Sequence, residues 1–146
     1  MSASNGNSIP PIGRRSRTPD AAAPDGSEIS LLVDSLQGAT KSSLVEVTLG
    51  PGGVTRPVRH RTVEEVWYVL EGAGRVWRCP PDTAPAIFPP MDVVPGDALV
   101  IPTGWSFQFN ASPDGHLRFL CHTTPPWPGD DEAVPAEPGG LGEATV

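Results

Sequence analysis

Lysine is almost missing from this chain: of ten basic residues only Lys41 is not an arginine, and together they face seventeen acidic ones. A formal net charge of -7 excludes the basic face that phosphate recognition needs, so nucleic acid is not an expected partner. Cysteine is nearly as scarce. Cys79 and Cys121 are too few for a disulfide framework, and in a reducing compartment they read as a turn thiol and a small core residue rather than as a pair. No apolar run is long enough to cross a bilayer. Nor does the N-terminus show a charged segment followed by an apolar one, so no membrane partner is expected and the expected location is the cytoplasm. An amphipathic helix of useful length is also lacking.

What is abundant is punctuation. Nineteen prolines and sixteen glycines in 146 residues fit short strands joined by turns, in a chain long enough for one domain with a real core. Residues 1–25 show no periodicity and read as a mobile N-terminal tail, with Arg14, Arg15 and Arg17 as a solvated basic turn. Residues 26–128 carry the strand signals. The runs 27–34 and 43–49 alternate, and Val45, Val47 and Leu49 share one face. Residues 79–91 hold five prolines, too many for a central strand, leaving room only for a short edge strand at 86–88. The run 116–123 is the last convincing strand. Residues 129–146 are acidic and rich in Pro and Gly and read as a frayed tail, with Trp127 the one residue able to anchor the ending.

Two stretches carry the chemistry. Gly52 to Gly72 sets Arg56, His60, Glu64 and Glu65 among strand formers such as Val58, Val66, Trp67 and Val69, so an ionisable pair must enter a strand-rich core. Alternation puts Val58 and His60 on one face, and Glu65, Trp67 and Val69 on one face of the next strand. If both faces point inward, His60 and Glu65 meet, as general acid and base or as a pair that merely satisfies itself. The second stretch, Gly96 to Asn110, contains Ser106-Phe107-Gln108-Phe109, whose register is open: one slip decides whether Phe107 and Phe109 or Ser106 and Gln108 line the interior. Arg56 and Arg118 are the candidate anion holders. Trp67 and Trp77 either wall a pocket or belong to the core.

Taken together, Gly52, Val58, His60, Glu65 and Gly72, followed by Gly96, Pro102, Gly104 and Phe107, resemble the two spacing motifs of the cupin superfamily, over about residues 44–124. The ending from Thr124 to Ala133, TPPWPGDDEA, is similar to that of an uncharacterised group of single-domain cupins. The resemblance implies an all-β fold, a jelly-roll barrel, with a small-molecule ligand in its lumen. It also implies a metal held by three His and one Glu, but Val58 and Phe107 stand at two of those places and donate nothing. No cofactor is therefore expected. A divalent metal would need His122 beside His60 and Glu65. The function expected is a non-redox isomerase, cyclase or lyase acting on a small carbonyl-bearing metabolite, a sugar derivative or polyketide-like intermediate. The alternatives are a non-catalytic ligand binder or sensor, and a metal-dependent oxygenase or isomerase with an unusual ligand set. Edge strands of such a barrel must be covered, so a two-fold homodimer with residues 29–33 near its interface is expected.

Overall fold

A computed structural model describes residues 8–146; residues 1–7 of the N-terminal segment lie outside the described residues. The fold is all-β, and the described residues form eleven strands: β1 Ala21–Ala22, β2 Glu28–Val33, β3 Ser43–Leu49, β4 Val58–His60, β5 Glu64–Glu71, β6 Gly74–Cys79, β7 Met91–Val93, β8 Ala98–Ile101, β9 Ser106–Ala111, β10 Leu117–Thr124 and β11 Ala133–Pro135. They form two antiparallel sheets, in the orders β1-β2-β3-β10-β5-β8 and β11-β4-β9-β6-β7. Among the described residues no helix is long and apolar enough to cross a membrane.

Alternation places the core. Leu117, Phe119, Cys121 and Thr123 of β10 point inward, while Arg118 and His122 point out. Opposite them, Val69 and Trp67 of β5 pair with Phe119 and Cys121. From the facing sheet come Val58, Val76, Phe107 and Phe109. Aromatic rings fill the lumen: Trp67 stacks on Phe119 at 3.9 Å between centroids, and Phe109 meets each of them edge-on. Such contacts add to what the buried area alone contributes.

Register settles the open question in β9. Phe107 and Phe109 face the core, whereas Ser106 and Gln108 face the outside of the five-stranded sheet. The lumen placement of Ser106 and Gln108 does not hold, because Phe107 pairs with Val58, which itself faces inward. Trp77 also leaves the lumen. It alternates with the inward Val76 and packs with Cys79 and Leu141 in a second small cluster on the outer face.

That outer cluster explains the C-terminal segment, read from sequence as frayed. The segment 136–146 lies across the five-stranded sheet. Gly139 donates its N–H to Gln108 Oε1 at 3.2 Å, Gln108 Nε2 donates to Gly142 O at 3.3 Å, and Thr145 N–H donates to Val54 O. A Cβ on Gly139 would lie 1.9 Å from the Trp77 ring, so only glycine permits this approach. The physical reason is burial: a Trp, a Cys and a Gln side chain on an outer face need a cover. The N-terminal segment is similarly engaged. β1 pairs with β2, Arg15 Nε donates to Glu46 at 2.5 Å, and Asp25 is buried with its carboxylate accepting from Ser27. In the proline-rich loop, Pro85–Ile87 forms a 3-10 turn where an edge strand over 86–88 was expected, since proline cannot donate to a ladder.

The alternation in β10 gives a direct test. Phe119→Ala is expected to cost about 3–5 kcal/mol in urea unfolding, whereas His122→Ala, three residues along on the opposite face, changes stability by less than about 0.5 kcal/mol. Comparable losses would refute the assigned faces.

Candidate functional site

β4 ends at His60 and β5 begins at Glu64, so the tight turn 61–63 brings His60 and Glu65 to the same end of the barrel. This turn has an unexpected holder. Glu132 Oε2 accepts from the N–H groups of Thr62 at 2.7 Å and Val63 at 2.8 Å, and its other oxygen accepts from the Thr62 hydroxyl. Burial pushes the Glu132 carboxyl up, but these hydrogen bonds outweigh it and hold the group below the usual carboxylate range. β11 follows at once and pairs Ala133 with His60. Residues 124–135 thus form a strap over the barrel mouth.

Beneath the strap, His60 is 4% exposed and Glu65 8%. The His60 ring lies edge-on between Phe107 at 5.1 Å and Trp127 at 5.2 Å. Trp127 is anchored in turn by its backbone N–H, which donates to Ser43 Oγ. Glu65 Oε1 accepts from Trp67 Nε1 at 2.8 Å, and the Cys121 thiol donates to the same carboxyl. Glu65 Oε2 is 3.5 Å from His60 Nδ1, a nitrogen that is buried with no hydrogen-bond partner among the described residues.

The distance suggests an ion pair, but the electrostatics indicate otherwise. Desolvation lowers His60 from 6.5 to about 4, although the Glu132 charge opposes this. Desolvation raises Glu65 from 4.5 to about 7, against the hydrogen bond from Trp67. Between those limits the imidazole is neutral and the carboxyl protonated, so the contact is one between uncharged groups. This is an inverted order: the acid keeps its proton where the base has none. Burial likewise pushes the Cys121 thiol well up, leaving it a weak donor rather than a nucleophile.

Of the other candidate residues, Trp67 lies against Glu65 and Phe107 against His60, both as packed core. Arg56 is exposed, and its Nε donates to Val146 O, so it does not reach the lumen. It precedes β4 in an outward stretch. Arg118 points away on the outer face of β10, where it bridges Glu46 at 2.9 Å and Glu71 at 2.6 Å beside a polar groove of about 370 Å³. Ser106, Gln108 and Trp77 lie on the outside of the other sheet, as described above. The residues that sequence reasoning missed are Glu132 and the thiol contact of Cys121. Trp127 was read as an anchor but not as the cover of His60. Their only signal was the acidic TPPWPGDDEA stretch itself.

The metal set that the resemblance implies does not fit these residues. Val58 and Phe107 occupy two of its places as buried core, and the Phe107 ring, which has no donor atom, packs against His60. His122 is exposed on the far face of β10 and does not complete a set. Among the described residues no group of three His, Cys, Asp or Glu could hold a metal ion.

Two antiparallel sheets closed over one core, with a His and Glu pair from consecutive strands of the two sheets at one mouth, define a jelly-roll barrel of the cupin class. The chain belongs to the cupin domain family, which matches residues 45–123. It is 30% identical over 111 residues to an uncharacterized protein of Methanocaldococcus jannaschii, covering 75% of this chain and 82% of that one. Among solved structures, the polyketide cyclase RemF from Streptomyces resistomycificus is 25% identical with a TM-score of 0.57, over 90% of both chains. Oxalate decarboxylase from Bacillus subtilis superposes with a TM-score of 0.71 at 16% identity, over 90% of this chain, which spans 33% of that enzyme's length.

The raised Glu65 carboxyl gives a pH prediction with a definite sign. The unfolded chain releases this proton near 4.5 and the folded one holds it to about 7, so stability from this group falls as pH rises through that window. Glu65→Gln, which still accepts from Trp67, is expected to gain stability relative to the parent between those two pH values and to run parallel above them. Thermal melts across the range provide the measurement, and a constant offset contradicts the assignment.

Proposed function

We propose that this cupin is a non-redox enzyme of the isomerase, cyclase or lyase kind, acting on a small carbonyl-bearing molecule at the His60 and Glu65 mouth. The observation that carries the reading is the orphaned His60 Nδ1, buried 3.5 Å from a carboxyl whose proton is held to about 7. A neutral imidazole can take a proton from a carbon next to a carbonyl, while the protonated Glu65 gives one to the developing enolate oxygen. Delivery of the imidazolium proton to a different carbon or the opposite face, as the enol O–H returns its proton to Glu65, completes an isomerisation; in a cyclisation the enol carbon attacks a second carbonyl, the new alkoxide takes the imidazolium proton and the enol O–H returns its own to Glu65. Proton count is preserved in both. Substrate reaches the pair only when the strap with Trp127 lifts, and the strap's closure then excludes water.

The similarity to a polyketide cyclase over 90% of both chains supports a substrate with several carbonyls ahead of a sugar derivative. A second reading, a non-catalytic ligand binder, is favoured by the aromatic filling of the lumen, which leaves the mouth as the place for a ligand. A two-fold homodimer remains part of the proposal; the backbone at Gly13 already lies against Leu32 of β2 and occupies part of that edge.

The test uses 1-phenyl-1,3-butanedione as a probe and follows solvent deuterium exchange at its central carbon by NMR. The parent protein is expected to accelerate exchange above buffer, and His60→Gln to return it to the buffer rate with the fold intact by circular dichroism. Binding of the dione without acceleration would favour the binder. Equal acceleration by parent and variant would remove His60 from the chemistry.

A further inference from the structure

On the side of the barrel away from β1, β8 closes one sheet and β7 the other, and the two edges do not pair. Between them runs a groove of about 400 Å³ lined by Val76, Arg78, Phe88, Met91, Val100 and Trp105, with two prolines. Neither His60 nor Glu65 lines it. Phe88, Met91 and Val100 are 36%, 59% and 38% exposed, so this is a concavity with accessible apolar walls and of a size suited to small ligands.

Arg78 is the only charged residue in the lining. Its Nη1 donates to Val100 O at 2.8 Å and its Nη2 makes a weak contact to Met91 Sδ at 3.6 Å. Among the described residues no carboxylate pairs with it, in a chain with seventeen acidic residues to choose from. A guanidinium has five N–H donors, and the two in use fix its plane without neutralising it. An unneutralised cation on an apolar wall attracts an anion more strongly than it would in open water, and its fork matches a carboxylate. The indole of Trp105 and the ring of Phe88 supply faces for a flat apolar body.

We propose that this groove binds a small aromatic carboxylate, with the ring against Phe88, Met91 and Trp105 and the carboxylate on Arg78. The site is independent of the His60 and Glu65 reading, and either can fail without the other. Calorimetric titration of the full chain with 1-naphthoate, and with 1-naphthamide as its uncharged counterpart, tests it. The carboxylate is expected to bind saturably and about tenfold more tightly than the amide, as one charge-assisted contact provides. Arg78→Gln should remove that preference and Arg78→Lys retain part of it. Trp105→Ala, at the groove rim, should weaken both probes and serves as the second variant should Arg78→Gln fail to fold. Equal binding of the two probes, an unchanged preference in Arg78→Gln, or no saturable binding would overturn the proposal. So would a doubled mass in light scattering that Met91→Glu returns to one chain, with no naphthoate bound, because the groove would then belong to a second copy.

Discussion

Withdrawal of His60 and Glu65 from water is the constraint on which the barrel mouth is built. Either group alone, charged and buried, would be costly, and the fold avoids that cost by leaving both uncharged rather than by pairing opposite charges. The imidazole packs against the rings of Phe107 and Trp127, and its burial there keeps it deprotonated. The carboxyl receives donors from Trp67 and Cys121, but only enough to orient it, and its proton stays. A site of this kind has its acid and its base in the right forms together near neutral pH.

The strap makes this state possible. Trp127 seals His60, and five residues on Glu132 takes the free N–H groups of the turn that joins His60 to Glu65. One short segment therefore covers His60 and holds the turn that leads to Glu65. The Glu132 charge opposes the desolvation of His60 and favours the imidazolium.

The barrel was legible in the chain because period-two alternation and glycine spacing are local. Val58 and His60, then Glu65, Trp67 and Val69, announce their inward faces without any knowledge of their partners, and the structure keeps each of them inside. Ser106 to Phe109 was not legible, since alternation fixes two sets but not which one enters; the pairing of Phe107 with Val58 decides it. Trp77 and Gln108 could not be placed because their cover comes from residues far along the chain whose composition resembles a loose tail. Arg56 and Arg118 were plausible anion holders by type alone. Their partners, Val146 and the two glutamates, are visible only in three dimensions. Glu132 was hidden for the same reason: a carboxylate in an acidic ending looks solvated until the turn it caps is known.

The central claim is that His60 is neutral and Glu65 protonated in the closed barrel. With only three histidines in the chain, nitrogen-15 NMR of the imidazole rings, assigned by the loss of one set in His60→Gln, reads this directly. The account requires a His60 ring that stays neutral through about pH 6 and begins to protonate only near 4. A ring that is already cationic at about pH 6 would mean an ordinary ion pair with Glu65 and would contradict the account.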